Sequence, residues 1–135
     1  MNICAENMQK TQVEDEKEKK VKLVIWDLDN TLWEGILAEN ESVILRRGIV
    51  NIIKSLDERG ILQSIASKNN YNDAMEKLKD FGIDDYFIYP QIGWESKSGS
   101  VKKIISLVNI GEDTVLFIDD QPFEREEVAF ALPRL

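Results

Sequence analysis

Two carboxylates stand at the end of an apolar run in the stretch VIWDLDNTLW, residues 24–33. Asp27 directly follows the run, and Asp29 comes two residues later, in what reads as a turn leaving a strand. Such a turn can aim both side chains at one substrate. A carboxylate nucleophile can form an aspartyl phosphate, while a second carboxyl protonates the leaving oxygen and later activates water. The stretch therefore indicates phosphoryl-transfer chemistry.

A second acidic pair follows another apolar run, in FIDDQP at residues 117–122. Because the carboxyl ends of parallel strands converge on one crevice, Asp119 and Asp120 should lie close to Asp27. Two like charges about 4 Å apart repel by roughly 4 kcal/mol at the dielectric of a protein surface. A hard divalent cation relieves this repulsion, and Mg²⁺ favours carboxylates, waters and a substrate phosphate oxygen. The acids therefore predict a Mg²⁺ site.

Three further polar residues are suited to handling a phosphate group. Thr31 would brace the turn that follows Asp27. Ser67 ends the second predicted strand and would donate a hydrogen bond to a phosphate oxygen. Lys97 follows the third predicted strand and would neutralise the charge that develops during transfer.

Each polar residue also has a simpler structural interpretation. The acids could be caps or turn residues, and Ser67 an ordinary turn residue, yet their joint placement favours function. Asn69 and Asn70 are typical of helix caps. Trp33 and Trp94 are as well explained by aromatic packing. These last four residues are therefore left out of the predicted site.

Short apolar runs alternate with helical periodicity from Val21 onward, which is typical of an α/β fold. Four runs predict buried strands: KLVIW at 22–26, ILQSIA at 61–66, YFIYP at 86–90 and TVLFI at 114–118. Three stripes predict helices against the sheet: Ile49, Ile52, Ile53 and Leu56; Ala74, Met75, Leu78 and Phe81; Val101, Ile104, Ile105 and Val108. Gly60, Gly82 and Gly111 follow these stripes at positions typical of left-handed helix caps. A fourth helix is expected near Pro122.

Composition limits the chemistry that the chain can perform. Its 135 residues suffice for one domain, and its formal net charge of −8 argues against a nonspecific grip on nucleic acid or an anionic membrane. The chain has no histidine and one cysteine, Cys4. Histidine-based nucleophile pairs, His-ligated zinc and an internal disulfide are therefore excluded. Carboxylates, hydroxyls, lysine and a hard metal ion remain.

The chain divides into a charged arm and a core. Residues 1–20 have mixed charge and little apolar content, so we expect a flexible arm, with the catalytic core at 21–135. No apolar run approaches the roughly 20 residues of a membrane-spanning helix, and no signal peptide is recognised, so we expect a cytoplasmic location. Between Trp33 and Gly48 there is room for a small flap but not for a folded cap domain.

Taken in order, the motifs resemble those of the haloacid dehalogenase (HAD) superfamily. The matching residues are DLDNT at 27–31, Ser67 after the second strand, Lys97 before a helix, and the acidic pair Asp119 and Asp120. The chain further resembles the HAD-IIIC, FkbH-like group through WDLDNTLWEG, ASKNN, GWESKSGSVKKI and VLFIDDQPFEREEV. The likeness extends from Val21 to Leu135.

This resemblance implies a Rossmann-like parallel sheet flanked by helices, together with Mg²⁺. It implies that Asp27 is the nucleophile and Asp29 the acid and base. It also implies that Asp27, the main-chain carbonyl of Asp29 and Asp119 hold the metal, with Asp120 nearby or acting through water.

The chain departs from the FkbH-like pattern in two ways. Some FkbH-like proteins load a glyceryl group onto a carrier protein, a step that involves a cysteine close before the first Asp, whereas Val24 and Ile25 stand here. The chain also stops at ALPRL, where the family is expected to continue into another strand and further helices. We therefore expect either an excised segment or an unusually short core.

Three functions follow from these observations. The first is a Mg²⁺-dependent phosphohydrolase or phosphotransferase acting on a phosphorylated small molecule or an acyl phosphate. The second is a loading enzyme, or a piece of one, that acts with an acyl carrier protein in polyketide-type biosynthesis. The third is a noncatalytic phospho-acceptor of the response-regulator kind. The order of the motifs disfavours the third, because a receiver places its acidic pair first and this chain places the pair last.

Overall fold

A four-stranded parallel sheet forms the centre of the computed structural model, which describes residues 20–39 and 42–135. In chain order the strands are β1 (Leu23–Trp26), β2 (Trp33–Glu34), β3 (Ile44–Leu45), β4 (Leu62–Lys68), β5 (Gln91–Gly93) and β6 (Val115–Ile118). The helices are α1 (Ile49–Glu58), α2 (Tyr71–Asp80), α3 (Lys97–Val108) and α4 (Pro122–Ala131). Short 3₁₀ turns cover Asp84–Tyr86 and Glu112–Thr114. The predicted α/β fold is confirmed.

The sheet has the order β5-β4-β1-β6, which places β1 at its centre. All four residues of β1 are buried, as expected for a short apolar run covered on both faces. Trp26, the last residue of β1, is level with Ile65 of β4 and Ile118 of β6. The chain therefore leaves β1 and β6 at the same edge of the sheet, side by side.

Helices cover both faces of this sheet. Val24 and Trp26 point to the face where Ile53 of α1 and Ala74 and Leu78 of α2 pack. Leu23 and Ile25 point to the opposite face, in one cluster with Val101 and Ile104 of α3 and Val128 of α4. Alternate residues of β1 thus pack into two separate apolar layers, so that β1 is held on both faces and rigidly supports the turn that begins at Asp27.

A small flap lies between β1 and α1. It is built on an antiparallel pair in which Trp33 of β2 faces Leu45 of β3. Trp33 is fully buried and packs its ring against Phe81, with a distance of 6.1 Å between the ring centroids. The predicted small flap is confirmed, and the described residues contain no inserted cap domain.

The prediction of a third strand over YFIYP at 86–90 is wrong. Tyr86 ends a 3₁₀ turn, Tyr89 has a left-handed φ of 48°, and the strand β5 comes later at Gln91–Gly93. Phe87 is nevertheless buried, and the N–H of Ile88 donates to the Gln63 carbonyl at 2.8 Å. The apolar content of this segment therefore reflects the packing of a loop along β4, which local composition does not distinguish from a strand.

Two details of the helix predictions also need correction. Ile52 is 49% exposed, because α1 turns Ile49, Ile53, Leu56 and Val50 toward the core and leaves Ile52 outside this set. The left-handed cap of α3 is Asn109, with φ 61°, and not Gly111, whose φ is −72°. Asparagine tolerates this conformation, so the cap falls two residues before the glycine.

Within the described part of the chain, no helix is both long and apolar enough to cross a membrane. The predicted flexible arm at residues 1–20 lies almost wholly outside the described residues, and the boundary at Val21 stays a prediction. It agrees with the hydrogen bonds of Lys22, whose N–H donates to Thr114 O at 2.8 Å and whose carbonyl accepts from Leu62 N at 3.0 Å.

Deleting residues 1–20 should leave the protein folded, because the hydrogen bonds that hold β1 in the sheet begin at Lys22. We expect the free energy of unfolding, measured by urea denaturation, to change by no more than about 0.5 kcal/mol. Deleting residues 1–26 is the control, since it removes the central strand and should abolish cooperative unfolding. A loss of the folded state on deletion of residues 1–20 alone would place the boundary earlier in the chain.

Candidate active site

A buried ion triad lies where β1, β6 and α3 meet. Asp27 directly follows β1, Asp119 directly follows β6, and Lys97 is the first residue of α3. The Lys97 ammonium donates to Asp27 Oδ1 at 2.8 Å and to Asp119 Oδ2 at 2.7 Å. The three residues are 6% exposed or less. The N–H of Asp27 also donates to the Ile118 carbonyl at 2.9 Å, which fixes the two strand ends together.

Burial and charge act against each other in this triad. The pKa of Asp27 is raised to about 6, chiefly by burial and to a lesser extent by the charge of Asp119, while the charge and hydrogen bond of Lys97 and the N–H of Leu28 oppose the rise. For Lys97, burial lowers the pKa, but the charges and hydrogen bonds of Asp27 and Asp119 outweigh it and raise the pKa above its usual value. Lys97 is therefore a permanent cation near neutral pH.

Thr31 connects the turn after β1 to the second acid of the pair at the end of β6. Its hydroxyl oxygen lies 3.3 Å from Asp27 Oδ2 and 3.3 Å from Asp120 Oδ1, and it accepts the N–H of Asp120 at 3.1 Å. A hydroxyl has one hydrogen, so it can donate fully to only one of the two carboxylates at a time. Thr31 thus links the turn after β1 to Asp120 and Asp27.

Three carboxylates have the spacing of a metal site. Asp27, Asp119 and Asp120 each offer one oxygen, and these atoms all lie within 4.8 Å of one another. Three negative charges here face one ammonium, that of Lys97, so a divalent cation would bring the cluster close to neutrality. Hard oxygen donors, two of them buried and one exposed, suit Mg²⁺, which keeps water ligands and binds substrate oxygens through them. The donor set therefore fits the ion that the sequence predicts.

Asp29 is held in a different way, by neutral donors. Its Oδ1 accepts the Trp33 indole N–H at 3.0 Å and the Leu37 backbone N–H at 3.0 Å, both from the flap. Its Oδ2 accepts the side-chain amide of Asn69 at 3.1 Å. Between Asp29 and the flap, Asn30 adopts a left-handed φ of 54° and accepts the Gly35 N–H at 3.0 Å. The turn and the flap are thus one hydrogen-bonded unit.

These groups border a small open crevice of about 170 Å³. The lining residues are Asp27, Asp29, Asn30, Ile36, Lys68, Lys97, Asp120, Gln121 and Glu124. Lys68 and Glu124 form an ion pair of 3.3 Å at this crevice. Its volume suits a phosphate group, so the rest of a substrate would extend past the flap or into solvent.

The structure places the predicted residues in one region, but only some of them line the crevice. Asp27, Asp29, Lys97 and Asp120 line it, whereas Asp119 is bonded to Lys97 and borders a neighbouring pocket together with Asp120 and Thr31. The other two predicted residues are not part of the lining. Thr31 borders a neighbouring pocket of about 240 Å³, and Ser67 is 4% exposed and bonded to Asn69 at 3.0 Å.

Sequence reasoning missed two residues that contact Asp29, namely Asn69 and Trp33. Asn70 is the cap of α2, since its side chain accepts the Asp73 N–H at 3.1 Å, whereas Asn69 is 2% exposed and faces the acids. Two consecutive asparagines before one helix indicate that one of them has a partner outside the helix, because a helix needs only one cap. Nothing in the sequence around Trp33 indicates its contact with Asp29. Trp94 is 70% exposed and is not among the residues that line the crevice.

Comparisons with known proteins agree with this architecture. A family model described as haloacid dehalogenase-like hydrolase matches residues 7–127. Among curated proteins, no sequence matches this chain significantly.

Several solved structures have a fold similar to that of this chain, and three are described below. The chain is similar to the N-terminal part of a Bacteroides fragilis protein containing a phosphatase domain and complexed with Mg, with 30% identity and a TM-score of 0.79 over 87% of this chain. It spans only 35% of that protein's chain. HAD-superfamily hydrolases from Ehrlichia chaffeensis (16% identity, TM-score 0.68, 83% of this chain and 84% of that one) and Geobacter sulfurreducens (14%, 0.68, 84% and 84%) share the fold.

Mg²⁺ should stabilise the protein, because it relieves repulsion among Asp27, Asp119 and Asp120 in the folded chain. The unfolded chain does not bring these carboxylates together and so offers the metal no such site. At a Mg²⁺ concentration of 100 times its Kd, the free energy of unfolding should rise by about 2.7 kcal/mol. Thermal melts with and without EDTA measure the effect. Asp119→Asn should lose most of the shift, and the exposed Asp57→Asn should keep it. An unchanged melting temperature across millimolar Mg²⁺ would contradict the metal site.

Binding of Mg²⁺ should also depend on pH through Asp27. The pKa of this carboxyl is about 6, so below pH 6 a proton competes with the metal for its oxygen. For one competing proton, the apparent Kd should be about tenfold higher at pH 5 than at pH 7. Calorimetry in two buffers of different ionisation enthalpy would count the released proton. Asp27→Asn should bind more weakly and lose this pH dependence, and equal wild-type affinity at both pH values would exclude the competition.

Proposed function

Because this chain belongs to the haloacid dehalogenase-like hydrolase family, we propose that it is a Mg²⁺-dependent phosphohydrolase or phosphotransferase that works through an aspartyl phosphate on Asp27. One observation carries the proposal. The Asp27 carboxylate is held by the buried Lys97 ammonium at 2.8 Å and borders the same crevice as Asp29. A nucleophile, a fixed positive charge and a separate acid or base thus meet at one small opening.

In the first step, a carboxylate oxygen of Asp27 attacks the phosphorus atom of a phosphorylated substrate. The bond from phosphorus to the leaving oxygen breaks, and a proton from the Asp29 carboxyl can pass to that oxygen. Negative charge builds on the phosphoryl oxygens during this transfer. Lys97, fixed by its two carboxylate partners, is a point charge placed to stabilise it.

In the second step, Asp29 acts as a base and takes a proton from water, which attacks the phosphorus of phospho-Asp27. The acyl phosphate bond breaks, inorganic phosphate leaves and the Asp27 carboxylate is restored. Bound Mg²⁺ would supply electrostatic stabilisation of phosphate charge, with Asp27, the main-chain carbonyl of Asp29 and Asp119 as ligands and Asp120 nearby. Thr31 braces the turn through both steps, and Ser67 is assigned the hydrogen bond to a phosphate oxygen.

The substrate class follows from the shape and charge of the crevice. Its small volume and the Lys97 ammonium suit a phosphoryl group, which supports a phosphorylated small molecule or an acyl phosphate as substrate. The HAD-IIIC, FkbH-like assignment remains a proposal that rests on sequence motifs. The cytoplasmic location expected from the sequence likewise stays a prediction.

Acyl transfer to a carrier protein has less support. The residues in the position of the expected cysteine are Val24 and Ile25, which are 2% and 0% exposed within the sheet. Neither side chain can form a thioester. We therefore propose the phosphoryl step for this chain and keep a carrier protein as an alternative partner for a longer assembly.

The Asp29→Asn variant tests the two carboxylate roles with acetyl phosphate as substrate. The acetate leaving group is stable without protonation, so Asp27 can still attack, whereas hydrolysis of the aspartyl phosphate still needs a base. The variant should therefore accumulate phospho-Asp27, seen by intact mass as one added phosphoryl group that hydroxylamine removes.

The matched control is the double variant Asp27→Asn/Asp29→Asn, which should stay unmodified. With an alkyl phosphate, Asp29→Asn should be slow without accumulating an intermediate, because the poor leaving group needs the proton. If Asp29→Asn gains no phosphoryl group while the wild-type protein hydrolyses acetyl phosphate, the assignment of nucleophile and base is wrong.

A further inference from the structure

Asn69 lies at the turn between β4 and α2, where it joins two groups of the crevice region. The amide nitrogen of its side chain is 3.1 Å from Asp29 Oδ2 and 3.0 Å from Ser67 Oγ. Its backbone N–H donates to Gly93 O at 3.3 Å, so the turn is also fixed to β5. The residue is 2% exposed. One buried amide group thus contacts both the proposed acid and base and the proposed phosphate-binding hydroxyl.

The chemistry of the partners fixes the direction of these hydrogen bonds. An ionised carboxylate can only accept, so the amide must present its NH₂ group and not its oxygen to Asp29. An NH₂ group has two hydrogens, and the second is directed at Ser67 Oγ. Ser67 therefore accepts from Asn69, and its own hydroxyl hydrogen has no acceptor elsewhere among the described residues. That hydrogen is available for a phosphate oxygen.

Helix capping does not account for Asn69. The neighbouring Asn70 already accepts the Asp73 N–H at 3.1 Å and has the extended backbone of a cap, with φ −71° and ψ 126°. A buried polar side chain must find partners, and Asn69 finds them in Ser67 and Asp29 and not in α2. The two asparagines thus form a natural pair for comparison, one serving the helix and the other the acids.

We infer that Asn69 is a positioning residue that orients Ser67 as a donor to phosphate and fixes Asp29 for proton transfer. This inference rests on the proposed function. Asn69 acts through its two partners and need not touch the substrate. Its loss should therefore weaken phosphate binding through Ser67 and slow hydrolysis of the aspartyl phosphate through Asp29, as two separable effects.

The first test measures binding of inorganic phosphate in the presence of Mg²⁺ and hydrolysis of acetyl phosphate. Asn69→Ala should bind phosphate about tenfold more weakly and turn over about tenfold more slowly, the order expected for loss of one hydrogen bond at each partner. Asn70→Ala is the matched control, because it removes the helix cap next door. It should lower the melting temperature and leave both measurements within about twofold of wild type.

Double variants separate positioning from a merely structural role. In a Ser67→Ala background, Asn69→Ala should not weaken phosphate binding further. In an Asp29→Asn background, it should not slow the decay of the phosphorylated protein further. Asn69→Asp keeps the volume but cannot donate from its carboxylate, so it provides a second variant if Asn69→Ala does not fold, and it should show losses at least as large.

The outcomes distinguish this inference from the proposed function. If Asn69→Ala behaves like Asn70→Ala, or if its effects add fully in both double variants, Asn69 is not a positioning residue although the phosphatase assignment stands. If the wild-type protein with Mg²⁺ neither binds phosphate nor hydrolyses acetyl phosphate, the proposed function fails and the inference fails with it.

Discussion

The contact of one buried ammonium with two buried carboxylates is the constraint on which this site depends. Lys97 reaches Asp27 and Asp119, which leave the sheet from adjacent strands. Removing one partner from a buried ion pair typically costs about 3–5 kcal/mol, because the remaining charge is left without compensation. The triad therefore fixes the ends of β1 and β6 and the start of α3 relative to one another, and the crevice takes its shape from them.

Hydrogen bonding extends this rigidity from the triad to the flap. Asp29 accepts from Trp33 and Leu37 of the flap, and Trp33 is itself buried against Phe81 near the end of α2. A carboxylate with fixed donors on both oxygens has little freedom to turn. The position of Asp29 is thus set by the packing of the flap, so that a substitution of Trp33 would alter the geometry of the crevice although Trp33 is not among its lining residues.

Much of the fold could be predicted from the sequence, because buried strands and helix stripes leave local patterns. KLVIW at 22–26 and TVLFI at 114–118 coincide with β1 and β6 for this reason. The position of the third strand of the sheet could not be predicted in this way. This strand, β5, is only three residues long and its ends are Gln91 and Gly93, while the apolar segment before it is a packed loop. A short edge strand such as β5, which among the described strands pairs only with β4, carries little sequence pattern of its own.

The same limit applies to the site. The strand ends predicted that Asp27, Asp119 and Lys97 would meet, because parallel strands deliver their carboxyl ends to one edge. Nothing local separates Asn69 from Asn70, since both precede the same helix and have the same side chain. Which one faces the acids depends on where β4 ends and on its pairing with β5, and both depend on the tertiary structure.

Two carboxylates two residues apart in one turn thus acquire different environments. Asp27 is buried beside a cation and a second carboxylate, and burial raises its pKa. Asp29 is half-buried and surrounded by three neutral N–H donors. Both side chains nevertheless border the same crevice while they contact separate sets of partners. The fixed cation beside Asp27 stabilises its carboxylate, whereas the partners of Asp29 are uncharged groups. This difference in environment, more than the presence of two acids in one turn, supports the two distinct roles proposed for Asp27 and Asp29.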